Sequence, residues 1–517
     1  MDEEGRPRGV AALWVVVPNR YDLVAVLPQV ASFLDAQKAG VPPSALQPAS
    51  RSAYPWLQVR AAAGDPVPGG YFMAGSDYVK HSFPTAWAVA LLAWQLTAFP
   101  RGFEAAGQTA AVQAHLRHGA DYLMAAHPSP DTFVVQVGDP ADYASSPFAA
   151  AAASWGRPSD MPPNRNTTAV TAASPGGADA AAGAAAGLAA AAAALARVDA
   201  AWAAGARAKA ESLYRLASAI GPQASANGSY CSVAPCFEGM PSGSFRWRAF
   251  PSDSVFDDMA WAGAWLHRAT GQRSYLADAE YLFALHLREE ADLAAPGYYV
   301  PNYNKVAWGA QMSGKNDYGD VLLMTGRGLA YLPADATGGA GGGAGEPLPH
   351  AAGAALMALL YAGHAADGGG RGVSEAARLR LECFALGQVS YILGGQAGRN
   401  PSFVVGAGPR APRAPAHAAA SCPAAAAAPC TAATALLSPE ITTQPNPNEI
   451  IGALVAGPGP DHGYADSRLS PGSRVGVHYN VPLLGAIAGL VHFGVDPGRC
   501  QGGGGFLQGL LPSDQLL

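Results

Sequence analysis

Apolar residues recur at spacings of three and four along most of this chain, the period of a helix with one buried face. The pattern predicts helices over Tyr21–Ala39, Ala86–Ala98, Ala110–Ala126, Ala178–Ala219, Asp257–Thr270, Ser274–Glu290, Ala351–Ala366, Val373–Leu393 and Val481–Phe493. Strand-like alternation is confined to a few short pieces, and the spacing of strand–helix–strand units does not occur. An all-α fold is therefore expected. Four stretches between the helices, Ala336–Gly345, Gly368–Gly372, Ala411–Pro429 and Gly502–Gly505, are rich in Gly, Ala or Pro. They read as flexible loop expansions, because such repeats bury little surface against a large ordering cost. No linker separates halves of different composition, so residues 20–510 read as one helical domain between an N-terminal segment, 1–19, and a tail, 511–517.

Composition narrows the function classes. Of 517 residues, 50% are hydrophobic and 14% charged, a globular composition whose low charge density suits an uncharged substrate. A net charge of -6 leaves no basic footprint for phosphate, which argues against a nucleic-acid partner. The most apolar tract, Ala180–Leu195, is nearly all Ala and Gly, and alanine gains too little on transfer to hydrocarbon to anchor a membrane span. A monomer with no membrane partner is expected. Gly9–Val17 is apolar, but Asp2, Glu3 and Glu4 precede it and Pro18 ends it, which makes a poor secretion signal. Six cysteines permit three disulfides, with Cys231/Cys236 and Cys422/Cys430 as local pairs in loop-like sequence, or scattered thiols. Neither a CxxC pair nor a flanking His cluster suggests a zinc site, and no metal ligands are assigned.

Short motifs follow one another along the chain. Gln37-Lys38-Ala39-Gly40 leads to Gly69-Gly70-Tyr71-Phe72-Met73-Ala74-Gly75-Ser76-Asp77-Tyr78-Val79-Lys80. His118-Gly119-Ala120-Asp121-Tyr122-Leu123, Gln136-Val137-Gly138-Asp139 and Trp155-Gly156-Arg157 come next, then Asp257-Asp258 with Trp261 and Trp265. Tyr391-Ile392-Leu393-Gly394, Ser402-Phe403-Val404-Val405-Gly406, Gly452-Ala453-Leu454-Val455 and finally His478-Tyr479-Asn480 complete the series. In content and order it resembles glycoside hydrolase family 9, the endoglucanases (cellulases) that cut β-1,4-glucans. The resemblance implies an (α/α)6 barrel of about twelve helices with long Gly/Ala/Pro-rich loops, and a β-glucan polysaccharide or cello-oligosaccharide as partner. It requires no cofactor, allows Ca2+ without indicating ligands, and implies an extracellular protein, although the N-terminal segment does not read as an export signal.

Members of this family invert the anomeric centre with a carboxylate base on water and a carboxylic acid on the leaving oxygen, roughly 6.5–9.5 Å apart. For the base, Asp77 matches the second of two family Asp residues, while Met73 stands in place of the first. For the acid, the family has a Glu six residues before the Asn matched by Asn480, and that position is Arg474. Counting forward from Asp466, in the retained Asp466-Ser467-Arg468, reaches Val475 instead. Neither residue can donate a proton at working pH. Glu449 is the last Glu and reads as a surface residue. In Pro415-Ala416-His417-Ala418 the resemblance keeps one His of a His-His-Arg motif, and Ser470 replaces a further Asp.

The catalytic candidates are thus Asp77, Asp466, Arg474 at the acid's position, and His417. Sugar rings stack on aromatic faces in a cleft. The substrate-binding candidates are Trp155, Arg157, Tyr303, Trp308, Tyr464, Arg468 and Tyr479, while Trp261 and Trp265, four apart on a helix, suit core packing. Three readings stay open: a weakened endo-β-1,4-glucanase, a glucan-binding pseudoenzyme without turnover, and a helical scaffold.

Overall fold

The computed structural model describes residues 22–40, 65–75, 78–138, 156–157, 165–221, 252, 254–292, 323–324, 329–331, 346–366, 374–395, 401–408, 410–423, 430, 435, 439–459 and 461–500. Among them run α1 (Leu23–Gln37), α2 (Ser82–Ala98), α3 (Pro100–Ala105), α4 (Thr109–Ala125), α5 (Ala178–Leu195), α6 (Ala200–Ile220), α7 (Phe256–Thr270), α8 (Arg273–Asp292), α9 (Pro347–Ala366), α10 (Glu375–Ile392), α11 (Ala418–Ser421), α12 (Pro439–Thr443) and α13 (Val477–Phe493). All nine helices expected from the periodicity are present. The Ala178–Ala219 segment is two helices, because Asp199 accepts the Trp202 N–H at 3.0 Å and starts α6. Arg117 Nη1, 2.8 Å from Asp199 Oδ2, fixes that cap to α4. Such a cap stabilises the helix start.

Five inner helices, α2, α5, α7, α9 and α13, are buried along most of their length, and each packs on an outer neighbour: α4, α6, α8, α10 and α1 respectively. Inner helices also pack on one another, α13 on α2, α2 on α5, α5 on α7, and α9 on α13. This is the layering of an (α/α)6 barrel. Alanine and glycine on α5 set the close spacing: a Cβ on Gly187 would stand 2.7 Å from the Ala86 carbonyl oxygen of α2. Although α5 is long and apolar enough to span a bilayer, 89% of it is buried inside the protein. Trp94, Trp261 and Trp265 form an aromatic cluster between α2 and α7, with ring centroids 5.4–5.9 Å apart.

A three-stranded antiparallel sheet, β1 (Lys80–His81), β2 (Phe133–Val137) and β3 (Thr167–Val170), follows the motif loop, and β4 (Leu323–Met324) pairs with β5 (Ala330–Tyr331). Lys80, fully buried, lies 2.8 Å from Asp65 and donates to the carbonyls of Val67 and Gly69, so it holds the start of that loop. Burial brings its ammonium down to about 8 against the opposing pull of Asp65. Among the described residues there are two disulfides. Cys422–Cys430 joins one of the expected local pairs, whereas Cys383–Cys500 ties α10 to the C-terminal turn across 117 residues. Cys231 and Cys236 lie outside the described residues.

Candidate active site

Three loops that the sequence marks as functional meet through their backbones. Gly75, two residues before Asp77, donates its N–H to Val475 O at 2.8 Å, and its carbonyl accepts from Ala418 N at 2.8 Å. Ala416 N donates to Ser473 O at 2.8 Å, and Ala74 bridges Gly476. The contact is tight: a Cβ on Gly75 would fall 2.5 Å from Val475 Cγ2 and 2.9 Å from His417 Cδ2. The segment ending at Gly75, the His417 loop and the Arg474 loop therefore form one wall. Asp77 itself, with Trp155, Tyr303 and Trp308, lies outside the described residues.

At the acid position the two sequence registers separate physically. Val475 is 3% exposed and belongs to the core, with Val455 as its bridge partner. Arg474, with 26% of its side chain exposed, places Nη1 3.3 Å from Glu346 Oε1, at the start of α9. His350, one turn into α9, and His478, on α13, sit close enough to feel the Glu346 charge. Burial pushes both imidazoles down, His478 to about 4, so both are neutral at pH 7. Glu346 carries no sequence signal beyond being the residue before α9, which is why motif reading passes over it.

His417 is placed differently from a substrate-facing histidine. It is 3% exposed and caps α11, its Nδ1 accepting the Ala420 N–H at 3.0 Å. That bond leaves the proton on Nε2, which donates to Gln37 Oε1 at 3.0 Å, and Gln37 Nε2 in turn donates to Phe72 O at 2.8 Å. Both ring nitrogens are spent on the protein, so His417 positions the loops around the site.

Asp466 has a similar role. Its Oδ2 accepts from Arg413 N at 2.8 Å and its Oδ1 from Ala414 N at 3.0 Å, which holds the segment leading to His417. The Tyr464 hydroxyl lies 3.2 Å from Ser473 Oγ, within hydrogen-bond distance, and burial raises its phenol above the ordinary range. Arg468 is 6% exposed and donates to the carbonyls of Ala435, Ile441, Gln444 and Pro445 and to Asn446 Oδ1. Its fork staples a loop, and the expected sugar contact is not available to it. Tyr479 is 3% exposed, its ring 4.3 Å from that of His478, so it also packs inside. Arg157 donates to Pro423 O at 2.9 Å, beside the Cys422–Cys430 loop.

Asn480, the last motif residue, accepts from Leu454 N at 2.9 Å and donates to Gly452 O at 2.7 Å and Val30 O at 3.2 Å. Gly452 must be glycine: its φ is +82° and a Cβ would sit 1.7 Å from Gln29 O. Glu449, as expected, is exposed. Among the described residues no three His, Cys, Asp or Glu side chains gather as a metal set.

Comparison with known proteins agrees with this layout. The chain is 29% identical over 489 residues to Endoglucanase B of Cellulomonas fimi, covering 91% of this chain but 42% of that longer protein. It is 30% identical to Endoglucanase 3 of Oryza sativa subsp. japonica, covering 92% of this chain and 93% of that one. The structure of an endoglucanase from the termite Nasutitermes takasagoensis superimposes with a TM-score of 0.71 at 29% identity, over 92% of this chain and 100% of that one. Residues 24–487 match the profile of glycosyl hydrolase family 9, and with the barrel and the knitted motif loops in place, the chain belongs to that family.

Proposed function

We propose that the chain is a cellulase-type glycoside hydrolase, cutting β-1,4-glucosidic bonds of cello-oligosaccharides or cellulose with inversion, at a rate held down by its acid station. The observation that supports the lowered rate lies at the acid position, where counting reaches Arg474 or Val475: Arg474 pairs with Glu346 at 3.3 Å, and Val475 is buried, so neither offers a carboxyl. Asp77 is the base on water, and Met73, fully buried, stands in the same loop where the family carries its first Asp. Arg cannot protonate a leaving oxygen, and loss of general acid catalysis typically costs 10²–10⁴-fold in rate.

Asp466, His417 and Arg468 serve as positioning residues that fix the loop before Asp77 against the Arg474 loop. This chemistry requires no cofactor. The two disulfides support an oxidising, extracellular setting. A second reading, glucan binding without turnover, is favoured by the same substitutions, because a stacking surface survives the loss of an acid. Calorimetry with cellotetraose and product analysis on one purified sample separate the two. Binding with slow, inverting release of shorter oligosaccharides is expected, and Asp77→Asn should abolish release while leaving the affinity nearly the same. Binding with no release at all establishes the second reading, and absence of both removes each of them.

A further inference from the structure

The motif loop opens at Gly69 and closes on β1 at Lys80, and charged side chains from three segments meet beside it. Lys80 Nζ lies 2.8 Å from Asp65 Oδ2, and Arg165 Nε, just before β3, lies 3.3 Å from Asp65 Oδ1. All three side chains are at most 6% exposed. Each cation also holds one end of the loop. Lys80 donates to the carbonyls of Val67 and Gly69 at its entry, while Arg165 Nη2 donates to Tyr78 O at its exit and to Val137 O of β2 at 2.8 Å. The guanidinium stands 5.9 Å from the Phe72 ring, which clusters with Tyr78, Ala39 and Ala418. Tyr78 extends the hold, its hydroxyl donating to Gly156 O at 2.5 Å. The sequence leaves room for the fork: Gly138 has φ +106°, and a Cβ there would fall 2.7 Å from Arg165 Nη2. Lys80 with Asp65 is already a neutral pair, so Arg165 adds a second buried cation, which is costly unless its hydrogen bonds repay it. Those bonds go to the far end of the loop.

We propose that Arg165 is a positioning residue of the glucan site, coupled through Asp65 to Lys80 so that the entry and exit of the motif loop are fixed as one unit. The purpose of the loop rests on the glucan-hydrolase reading above, whereas the coupling rests on the contacts of Asp65, Lys80 and Arg165. With both ends held, Gly75 is in register to give its N–H to Val475 O and take that of Ala418, the bonds that knit the wall. Release of the exit leaves those partners in place but loosens their register. A displaced wall costs rate more than affinity, because a bound oligosaccharide still stacks along the rest of the cleft.

The test is Arg165→Met, with Arg165→Lys beside it. Met removes the second cation and leaves the neutral Asp65–Lys80 pair, so the fold should persist. Lys keeps the charge but lacks the fork that reaches Asp65 and both carbonyls, and it serves alone if the Met variant does not fold. Hydrogen exchange in peptides covering 69–75 and 416–418 should quicken about tenfold or more in Arg165→Met and less in Arg165→Lys, with α2 and α5 unchanged. On cellotetraose and on an aryl β-cellobioside alike, kcat should fall about tenfold to 10²-fold, while the Kd for cellotetraose moves by less than about threefold. Unchanged exchange in 69–75, or quickening spread evenly over the molecule, overturns the coupling. A raised KM with kcat unchanged overturns the positioning role, because it marks a lost binding contact. In a wild type that binds cellotetraose without cutting it, the exchange result alone decides. Local quickening in a protein that neither binds nor cuts cellotetraose upholds the coupling and overturns the glucan-hydrolase reading, so the two failures are told apart.

Discussion

His417 Nε2 lies 3.0 Å from Gln37 Oε1, joining residues 380 positions apart in the interior. Through Gln37 the bond continues to the Phe72 carbonyl, so the loop before Asp77 and the loop after Pro415 share one hydrogen-bond chain. Removing either side chain leaves a buried polar group without its partner, at about 1–3 kcal/mol. Gln37→Leu and His417→Ala should each lower urea stability by about that amount. The double variant should cost less than the sum, which a double-mutant cycle measures directly.

Asp466→Asn separates positioning from chemistry. An amide can accept one of the Arg413 and Ala414 N–H groups but turns its own donor toward the other. A loss of about 1.5–3 kcal/mol is expected, together with lower turnover on every substrate. A change in activity with urea stability intact would instead make Asp466 a reacting group.

The two disulfides should differ in weight. In the chain-entropy view, removing Cys383–Cys500, with its 117-residue separation, costs about 4–5 kcal/mol, and removing Cys422–Cys430 about 2–3. Thermal unfolding of the two double Cys→Ser variants measures the order. The smaller change, beside Arg157 and α11, should weaken glucan binding more.

Acid should destabilise the fold. Burial depresses His81 and His115 to about 3 and His118 and His478 to about 4, below the unfolded value of about 6.5. Below about pH 6.5 the unfolded chain takes up protons that the folded chain refuses, so stability is level above that pH and falls toward pH 4. The melting temperature should drop by several degrees between pH 7 and pH 5. Kinetic comparisons therefore belong near neutrality.

Much of the architecture was legible because periodicity survives in the inner helices even where they are nearly all alanine, as in α5. The α5–α6 break was not, since it depends on Asp199 meeting Arg117 from another helix. Ala411–Pro429 reads as flexible by composition, yet 410–423 is ordered, because Asp466, Asn446 and Asn448 supply its hydrogen bonds from elsewhere. Motif order located the site loops, but not the roles of His417, Arg468 and Asn480, each of which has partners far away in the chain. Glu346 stayed invisible for the same reason: its partner is 128 residues away.

The most direct measurement compares wild-type protein and Arg474→Glu at pH 7 on cellotetraose and on an aryl β-cellobioside with an acidic phenol. The substitution sets a carboxyl beside Glu346, and two adjacent carboxyls share a proton that one of them can donate. Wild type should cut cellotetraose slowly and the aryl glycoside comparatively well. Arg474→Glu should raise kcat/KM on cellotetraose by about tenfold or more and on the aryl glycoside much less, with Met73, Ala416 and Ala418 limiting the recovery. Fast cellotetraose cleavage by the wild type, unimproved or reduced by Arg474→Glu, would contradict the account.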